Sequence, residues 1–266
     1  MNLINNYEGY YEKVGIFSQQ NDEEDLMFLA SMAAEVSHKG LRILDLGCAE
    51  GQLAVLLAKQ GHDVTAADIS KAFLERAKEH ALQSAVNINL ITCDIEDNIS
   101  SLGNIRFDLV YFLDVLEHLR SPITALQNLR GLLSDDGVLV LRTPNTCYLG
   151  RFVSYLIRRK RLEDYYDPKN LGDLHLYGYD YKTLEKALNF VGLRVFELVP
   201  TSLRLTKSAK WPQLNPLFKF LSVQFPLLSN DLLVKCRKHS PIDIDALFSF
   251  WEQNRHASQI DTSYRE

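Results

Sequence analysis

The sequence predicts an α/β fold in which a seven-stranded, mostly parallel sheet carries helices on both faces. Two observations predict it. From about residue 41 onward, short apolar runs alternate with segments of helical periodicity, which is typical of parallel strands joined by crossover helices. The run FDLVYFL, Phe107–Leu113, is almost continuously apolar, as expected of a central strand that is buried on both faces. Hydrophobic residues at 46% and charged residues at 24% of 266 positions indicate a soluble globular protein.

The apolar runs define the predicted strands, and helical patterns fill most of the gaps between them. In chain order, the predicted strands are Arg42–Leu46, Asp63–Ala67, Asn87–Thr92, Phe107–Leu113, Gly137–Arg142, Leu193–Val199 and Asp231–Arg237. Helices are predicted at Gly51–Gln60, after Ser70, after Ser121 and at Tyr181–Val191, from apolar residues that recur on one helical face. The helix after Ser121 carries the stripe Ile123, Leu126, Leu129 and Leu133.

Capping residues support these helix boundaries. Ser70 and Ser121 are predicted N-caps, because a serine hydroxyl accepts a hydrogen bond from an N–H of the first helical turn. Pro122 then occupies the first helical position, where its missing N–H costs nothing. Gly61 and Gly192 stand where a left-handed C-terminal cap is expected.

Charge and cysteine usage exclude several classes of protein. The 29 basic and 34 acidic residues give a net charge of −5, so we expect no nucleic-acid partner held by a broad positive surface. The cysteines Cys48, Cys93, Cys147 and Cys236 are far apart and form no CxxC or zinc-type spacing. We therefore predict reduced thiols and no metal site. Neither a cleaved secretion signal nor a membrane span is expected, so the predicted location is cytoplasmic.

Two basic segments stand outside the alternation, at residues 147–170 and 201–230. The first places apolar residues at helical spacing just before the run RRKR, Arg158–Arg161. Two interpretations stay open. An apolar stripe flanked by arginines suits a lipid headgroup layer, which predicts peripheral contact with the inner face of a membrane through 149–161 and 201–225. Alternatively, these segments form a lid that packs on its own domain with solvated charges.

The most informative motif is the glycine-punctuated turn ILDLGCAEG, Ile43–Gly51, between a strand and a helix. Gly47 permits a backbone conformation that side chains resist, and Gly51 lets the start of the helix approach a ligand closely. Ala49 stands between them, and its Cβ predicts a negative φ. Asp45 and Glu50 bracket the turn with negative charge, which repels a diphosphate but suits an ammonium or sulfonium group.

Three further motifs follow successive strands. Asp68 ends the second strand in VTAADIS, the triplet Cys93–Ile95 follows the third, and FLDVLEHL, Phe112–Leu119, closes the fourth. Open α/β sheets bind ligands at this edge. Together the four motifs resemble those of the class I S-adenosylmethionine-dependent methyltransferases, and FLDVLEHL is similar to the equivalent segment of ubiquinone and menaquinone O-methyltransferases. The resemblance covers about residues 40–199, with the last strand added.

The resemblance implies a Rossmann-like sheet whose last strand is antiparallel, and the two basic segments are predicted to be helical insertions in it. The resemblance also implies S-adenosylmethionine as cofactor, and in-line transfer of its methyl group to a small-molecule acceptor, on oxygen. The basic, amphipathic segments favour an acceptor that is lipid-linked or anionic. Asp68 is expected to accept hydrogen bonds from the ribose hydroxyls. Asp94 is expected near the adenine amino group, unless it only satisfies its own turn. The implied cofactor-binding residues are Asp45, Gly47, Cys48, Ala49, Gly51, Asp68, Ile69, Asp94, Ile95 and Leu113.

The corresponding domain organisation is a helical or lid segment at 1–39, a cofactor-binding domain at 40–239 and a tail at 240–266. His118 and His175 are candidate general bases, although a structural hydrogen-bonding role is the alternative for each. Aligning the acceptor behind the methyl group is expected to dominate, at about 7–11 kcal/mol of barrier reduction. Two other functions are weighed: a binding or regulatory protein of the same fold, and a nicotinamide-dependent oxidoreductase, which the absence of G-x-G-x-x-G disfavours.

Overall fold

The computed structural model describes residues 23–38, 40–97, 99–149, 175–201, 220–221 and 223–240. Short 3₁₀ turns lie at Ile99–Leu102, Leu116–His118 and Pro226–Leu228. The helices and strands are, in chain order, α1 (Glu23–Val36), β1 (Arg42–Leu46), α2 (Gln52–Lys59), β2 (Asp63–Asp68), α3 (Lys71–Gln83), β3 (Asn89–Thr92), β4 (Phe107–Leu113), α4 (Pro122–Leu132), β5 (Leu133–Pro144), α5 (Tyr181–Phe190), β6 (Leu193–Val199) and β7 (Asp231–Lys238).

One seven-stranded sheet contains all the strands, in the order β3-β2-β1-β4-β5-β7-β6. The strands β1 to β5 pair in parallel, and β7 lies antiparallel between β5 and β6. The predicted Rossmann-like sheet with an antiparallel last strand is therefore confirmed. Because β1 is flanked by β2 on one side and β4 on the other, the chain reverses its direction of sheet growth beside β1, where open α/β sheets bind ligands.

Both faces of the sheet are covered by helices. On one face, α4 and α5 pack their apolar stripes against β1, β4 and β5. On the other face, α1, α2 and α3 cover β1, β2, β4 and β5. The buried Tyr111 of β4 ties α1 to the sheet, since its hydroxyl donates a 2.8 Å hydrogen bond to the carbonyl of Leu29.

Most predicted caps form, and one does not. Ser70 accepts a hydrogen bond from the N–H of Phe73, and Gly61 and Gly192 adopt φ values of 89° and 78°. At Ser121 the predicted side-chain cap is wrong: its hydroxyl makes no capping bond to α4. The backbone N–H of Ser121 instead donates to the carboxylate of Glu96.

The start of β5 also differs from the prediction. The strand begins at Leu133, which pairs with Phe107, so Leu133 is buried as a strand residue and not as the last member of the α4 stripe. Pairing with β4 overrides the helical periodicity here. The two basic insertions fall mainly outside the described residues, as do residues 1–22 and 241–266, so the predicted domain boundaries stay predictions. No helix among the described residues is long and apolar enough to cross a membrane.

Candidate active site

The turn between β1 and α2 needs glycine at two positions. Gly47 has φ 80°, and a Cβ built there would lie 2.3 Å from Cγ2 of Val115. Gly51 has φ 71°, and a Cβ there would lie 2.7 Å from Cβ of Ala77 in α3. The conformational prediction for Gly47 is therefore confirmed. The close approach at Gly51 is made by α3, so this glycine is required by the packing of α2 on α3.

Ala49 adopts a left-handed conformation, and the predicted negative φ is wrong. Its φ is 46°, a region that costs an L-residue roughly 1–2 kcal/mol. A tertiary contact holds it there: the N–H of Ala49 donates a 3.0 Å hydrogen bond to Oδ2 of Asp68. The N–H groups of Gly47 and Cys48 both donate to the carbonyl of Ala67, at 2.8 and 3.1 Å. The end of β2 thus shapes the turn.

Asp68 lies beside the glycine turn, as its predicted role requires. Its side chain is 8% exposed, and its second oxygen, Oδ1, accepts a 2.8 Å hydrogen bond from the N–H of Ser70. A carboxylate offers about four acceptor positions. Two are used by the backbone, so others are available to hydroxyl groups of a ligand at this edge.

Two buried carboxylates give this turn a negative character. Asp45 is buried, and desolvation followed by the charge of Asp68 raises its pKa to about 7. Burial also raises the pKa of Asp68. Glu50 was predicted to add negative charge to the turn, but Arg76 neutralises its carboxylate through a 2.8 Å ion pair. The preference for a cation therefore rests on Asp45 and Asp68, and a ligand ammonium or sulfonium would stabilise their ionised forms.

The segment after β3 forms a turn. Oδ1 of Asp94 accepts a 2.9 Å hydrogen bond from the N–H of Glu96, as in the alternative interpretation of this residue, and the side chain is half-buried. Ile95 is buried, and its carbonyl accepts a 2.7 Å hydrogen bond from Nδ2 of Asn128. The remaining predicted cofactor residues are buried Cys48 and half-buried Ile69 and Leu113.

A second group of polar side chains follows β4. The rings of His118 and His175 meet edge to face with their centroids 4.7 Å apart, so the fold brings the two predicted histidines together. Nε2 of His175 lies 3.9 Å from Oε1 of Glu117. The backbone fixes this arrangement, because the N–H of Leu176 donates a 2.8 Å hydrogen bond to the carbonyl of Glu117.

Glu117 is the residue of this group that the sequence analysis missed. It is 1% exposed, and its Oε2 accepts a 2.9 Å hydrogen bond from the hydroxyl of Thr143 on β5. Burial, and then the charge of Asp114, raise its pKa to about 8. The one sequence feature that could have indicated Glu117 is its position next to His118 in the LEH motif. A glutamate at such a position is usually interpreted as an exposed surface residue, and Glu117 is buried only by the tertiary fold.

An arginine on β5 joins α1 to this segment. Arg142 donates to Oδ2 of Asp114 at 2.6 and 2.9 Å and to Oδ2 of Asp25 at 2.8 Å. Asp114 has φ 56°, so the chain turns sharply as it leaves β4. This network holds α1 against the edge where the glycine turn and the histidine pair lie.

The fold and the site define an α/β domain with two buried carboxylates beside a glycine turn at the carboxyl edge of its parallel strands. Residues 20–198 match the family described as Methyltransferase domain. The chain belongs to this family. The prediction of a class I S-adenosylmethionine-dependent methyltransferase, with that cofactor as methyl donor, is thereby confirmed.

Similar proteins agree with this assignment. The ubiquinone biosynthesis O-methyltransferase of Haemophilus ducreyi is 36% identical over 109 residues, which are 40% of this chain and 46% of that protein. The chain thus spans about half the length of this curated relative. The solved magnesium protoporphyrin IX methyltransferase of Synechocystis PCC 6803 superposes with a TM-score of 0.57 at 18% identity, covering 89% of this chain and 94% of that chain. The solved 1,6-didemethyltoxoflavin-N1-methyltransferase of Burkholderia thailandensis superposes with a TM-score of 0.59 at 15% identity, covering 90% of this chain and 88% of that chain. These structures share the fold, and the oxidoreductase alternative is not favoured.

Proposed function

We propose that the protein transfers the methyl group of S-adenosylmethionine to a hydroxyl oxygen of a small-molecule or lipid-linked acceptor. The observation that carries this proposal is a contact between the two halves of the site. Val115 packs on Gly47 of the cofactor turn, and three residues later the chain reaches His118. The donor turn follows β1 and His118 follows the neighbouring strand β4, so the turn and the histidine pair lie at one edge of the sheet. The similarity to ubiquinone biosynthesis O-methyltransferases supports oxygen as the accepting atom.

In this proposal, each half of the site has its own task. The carboxylates of Asp45 and Asp68 bind the charged and hydroxyl groups of the donor. The group formed by Glu117, His118 and His175 receives the acceptor, and an imidazole of His118 or His175 takes the hydroxyl proton as the oxygen attacks the methyl carbon. Sulfur leaves with the electron pair of the broken bond, giving S-adenosylhomocysteine. A positioned base contributes about 10²- to 10⁴-fold to the rate.

The test combines a binding and a turnover measurement on the full chain. Calorimetric titration with S-adenosylmethionine is expected to show one site. Incubation with candidate phenols, catechols and polyprenylated phenols is expected to yield S-adenosylhomocysteine and an O-methylated product, both detected by mass spectrometry. Binding of the donor without product from any acceptor would favour the alternative, a binding or regulatory protein of this fold. Absence of donor binding would refute the proposal.

The histidine variants test the base role within this function. We expect His118→Gln or His175→Gln to lower turnover about 10²- to 10⁴-fold at saturating donor, with the dissociation constant of the donor unchanged. His239→Gln is the matched control, since His239 is exposed and its backbone N–H and carbonyl are bonded to Gly192 and Arg130. Unchanged turnover in both site variants would remove the histidines from the mechanism.

A lipid-linked acceptor is supported by the apolar surface near β7. Four large apolar residues are about half exposed or more, and they lie within or just after the predicted membrane segment 201–225: Phe220, Val223, Phe225 and Leu227. In this proposal the protein is cytoplasmic and touches the membrane from inside. Co-sedimentation with anionic vesicles is expected for the wild type and reduced for Phe225→Ser. Leu82→Ser, at an exposed apolar position on α3, is the control, and no sedimentation at low salt would refute membrane contact.

A further inference from the structure

The side chains of Glu117, His118 and His175 have the composition of a metal ligand set. Each offers one ligand atom, and these three atoms all lie within 4.8 Å of one another. In the part of the chain that the structure describes, this is the one group of three histidine, cysteine or acidic side chains so arranged. The prediction of no metal site came from the spacing of the cysteines, which gives no information about three residues from two distant segments.

The carboxylate of Glu117 provides a second, independent observation. Its Oε1 is buried and accepts no hydrogen bond from the described residues, whereas Oε2 is bonded to Thr143. Buried oxygens are nearly always partnered, and leaving one unpartnered costs about 1–3 kcal/mol. Nε2 of His175 lies 3.9 Å from this oxygen, too far for a hydrogen bond.

These distances suit one ion held between the three side chains. Bonds of about 2.1 Å to zinc place two neighbouring ligand atoms roughly 3.0–3.4 Å apart. Nε2 of His175 lies 3.9 Å from Oε1 of Glu117, and all three ligand atoms lie within 4.8 Å of one another. These separations need to close by about 0.5–1.8 Å, which is within the range of side-chain torsions.

We propose that Glu117, His118 and His175 bind a divalent first-row transition cation, with zinc or cobalt favoured over magnesium. Two imidazole nitrogens and one carboxylate oxygen suit zinc, cobalt or manganese, whereas magnesium prefers oxygen ligands and retains its waters. Asp114 is not a ligand in this proposal, since Arg142 occupies its carboxylate. The hydroxyl of Thr143 orients the carboxylate of Glu117, as partners of metal ligands usually do.

The proposed ion has a role that rests on the proposed methyl transfer. Three protein ligands leave at least one coordination position for water or for an acceptor oxygen. A hydroxyl bound to a divalent cation loses its proton more readily. In the metal-bound protein the coordinated imidazoles hold the ion, and the base role described above then belongs to the metal-free form alone.

The test measures metal binding directly. The full chain is treated with a chelator, dialysed and titrated with CoCl₂, followed by visible absorption, and with ZnCl₂, followed by calorimetry. We expect one site per chain, competition between cobalt and zinc, and weaker binding of magnesium. Glu117→Gln and His175→Ala are each expected to weaken binding at least tenfold, whereas His239→Ala leaves it unchanged. His175 is 35% exposed, so its substitution is the variant that preserves the fold most readily.

Retention of one tight site in both Glu117→Gln and His175→Ala would overturn the metal proposal, as would the absence of cobalt binding by the wild type. Titration with S-adenosylmethionine in the same proteins keeps the two proposals apart. Donor binding that fails in every protein while cobalt still binds refutes the methyltransferase function and leaves the metal site standing. Donor binding and turnover that persist after chelation, without cobalt binding, refute the metal site alone.

Discussion

Asp68 accepts the backbone N–H of Ala49 at 3.0 Å, and this one bond joins the end of β2 to the strained residue of the glycine turn. The same carboxylate accepts the N–H of Ser70 at the start of α3. The residue expected to bind the ribose of the cofactor therefore also sets the shape of the turn that receives the donor. Substitutions at either end of this bond separate the two roles.

Replacing Asp68 with asparagine is expected to damage both stability and donor binding. The amide has one acceptor oxygen, so one of the two N–H groups loses its partner at a cost of about 1–3 kcal/mol. The affinity for S-adenosylmethionine is expected to fall about 10- to 150-fold, since bonds to a charged acceptor contribute about 1.5–3 kcal/mol. Thermal unfolding and calorimetric titration measure the two effects. Asp63→Asn, at the exposed start of the same strand, is expected to change neither.

Replacing Ala49 with glycine is expected to relieve strain in the turn. The left-handed conformation costs alanine roughly 1–2 kcal/mol, which glycine does not pay. The greater conformational freedom of glycine in the unfolded chain lowers this gain in stability by about 0.4–1 kcal/mol. We expect a gain in stability of up to about 1.6 kcal/mol, measured by urea denaturation, with donor binding retained. Ala85→Gly is the matched control. Ala85 also has a positive φ, of 53°, but it lies just after α3 and outside the glycine turn. A loss of stability at Ala49→Gly alone would mean that the methyl group packs usefully in the turn.

The sheet was predictable because its signals are local. Each strand is an apolar run, and the bounds of Phe107–Leu113 and Leu193–Val199 coincide with β4 and β6. The place of Asp68 beside the glycine turn follows from the topology alone, since parallel strands end at the same edge. Local capping signals were sufficient at Ser70 but not at Ser121, where Glu96, from another loop, satisfies the backbone.

Features that depend on contacts between distant segments were not predictable. The φ of Ala49 is set by a hydrogen bond from another strand, and a steric rule for one residue does not include that bond. The pairing of His175 with Glu117 depends on a backbone bond from Leu176. Hydrophobic periodicity says nothing about such a bond, so the two histidines were predicted singly and not as one group with the glutamate.

The raised pKa of Asp45 predicts a pH dependence of donor binding. A cationic donor favours the ionised carboxylate, whose pKa is about 7 in the folded protein, so protons compete with the donor at lower pH. We expect the affinity for S-adenosylmethionine to increase about tenfold between about pH 6 and about pH 7.5. Calorimetric titration at both pH values measures the change, and Asp45→Asn is expected to bind weakly without this dependence.

The raised pKa of Asp45 makes the donor-free protein less stable as the pH rises, whereas it makes donor binding stronger. A carboxyl group whose pKa is raised by folding binds its proton more tightly in the native state, so its contribution to stability is full below about pH 4 and is lost as the pH rises to about 7. We expect Asp45→Asn to stabilise the donor-free protein above pH 7, by about 2–4 kcal/mol. Denaturant curves at about pH 5 and about pH 8 test the sign, and a variant equally destabilised at both would contradict it.

Arg142 is expected to be the strongest electrostatic attachment of α1. Its side chain is only 11% exposed, and it holds Asp114 and Asp25 at once. Arg142→Met leaves two carboxylates without their cation, so we expect a loss of about 2–4 kcal/mol in the free energy of unfolding. Asp25→Asn removes one half-exposed partner and is expected to cost about 1 kcal/mol or less.

Urea denaturation of the Arg142 and Asp25 variants gives the two free energies, and hydrogen exchange of the α1 amides tests the structural cause. In Arg142→Met these amides are expected to exchange faster, while those of β1 keep their protection until global unfolding. Asp135→Asn is the control, since its pair with Lys238 is fully exposed on the Asp135 side. If Arg142→Met and Asp135→Asn unfold at the same urea concentration, the Arg142 network does not hold α1. Its other contacts, among them the Tyr111 hydrogen bond and the apolar packing of Leu29, are then sufficient.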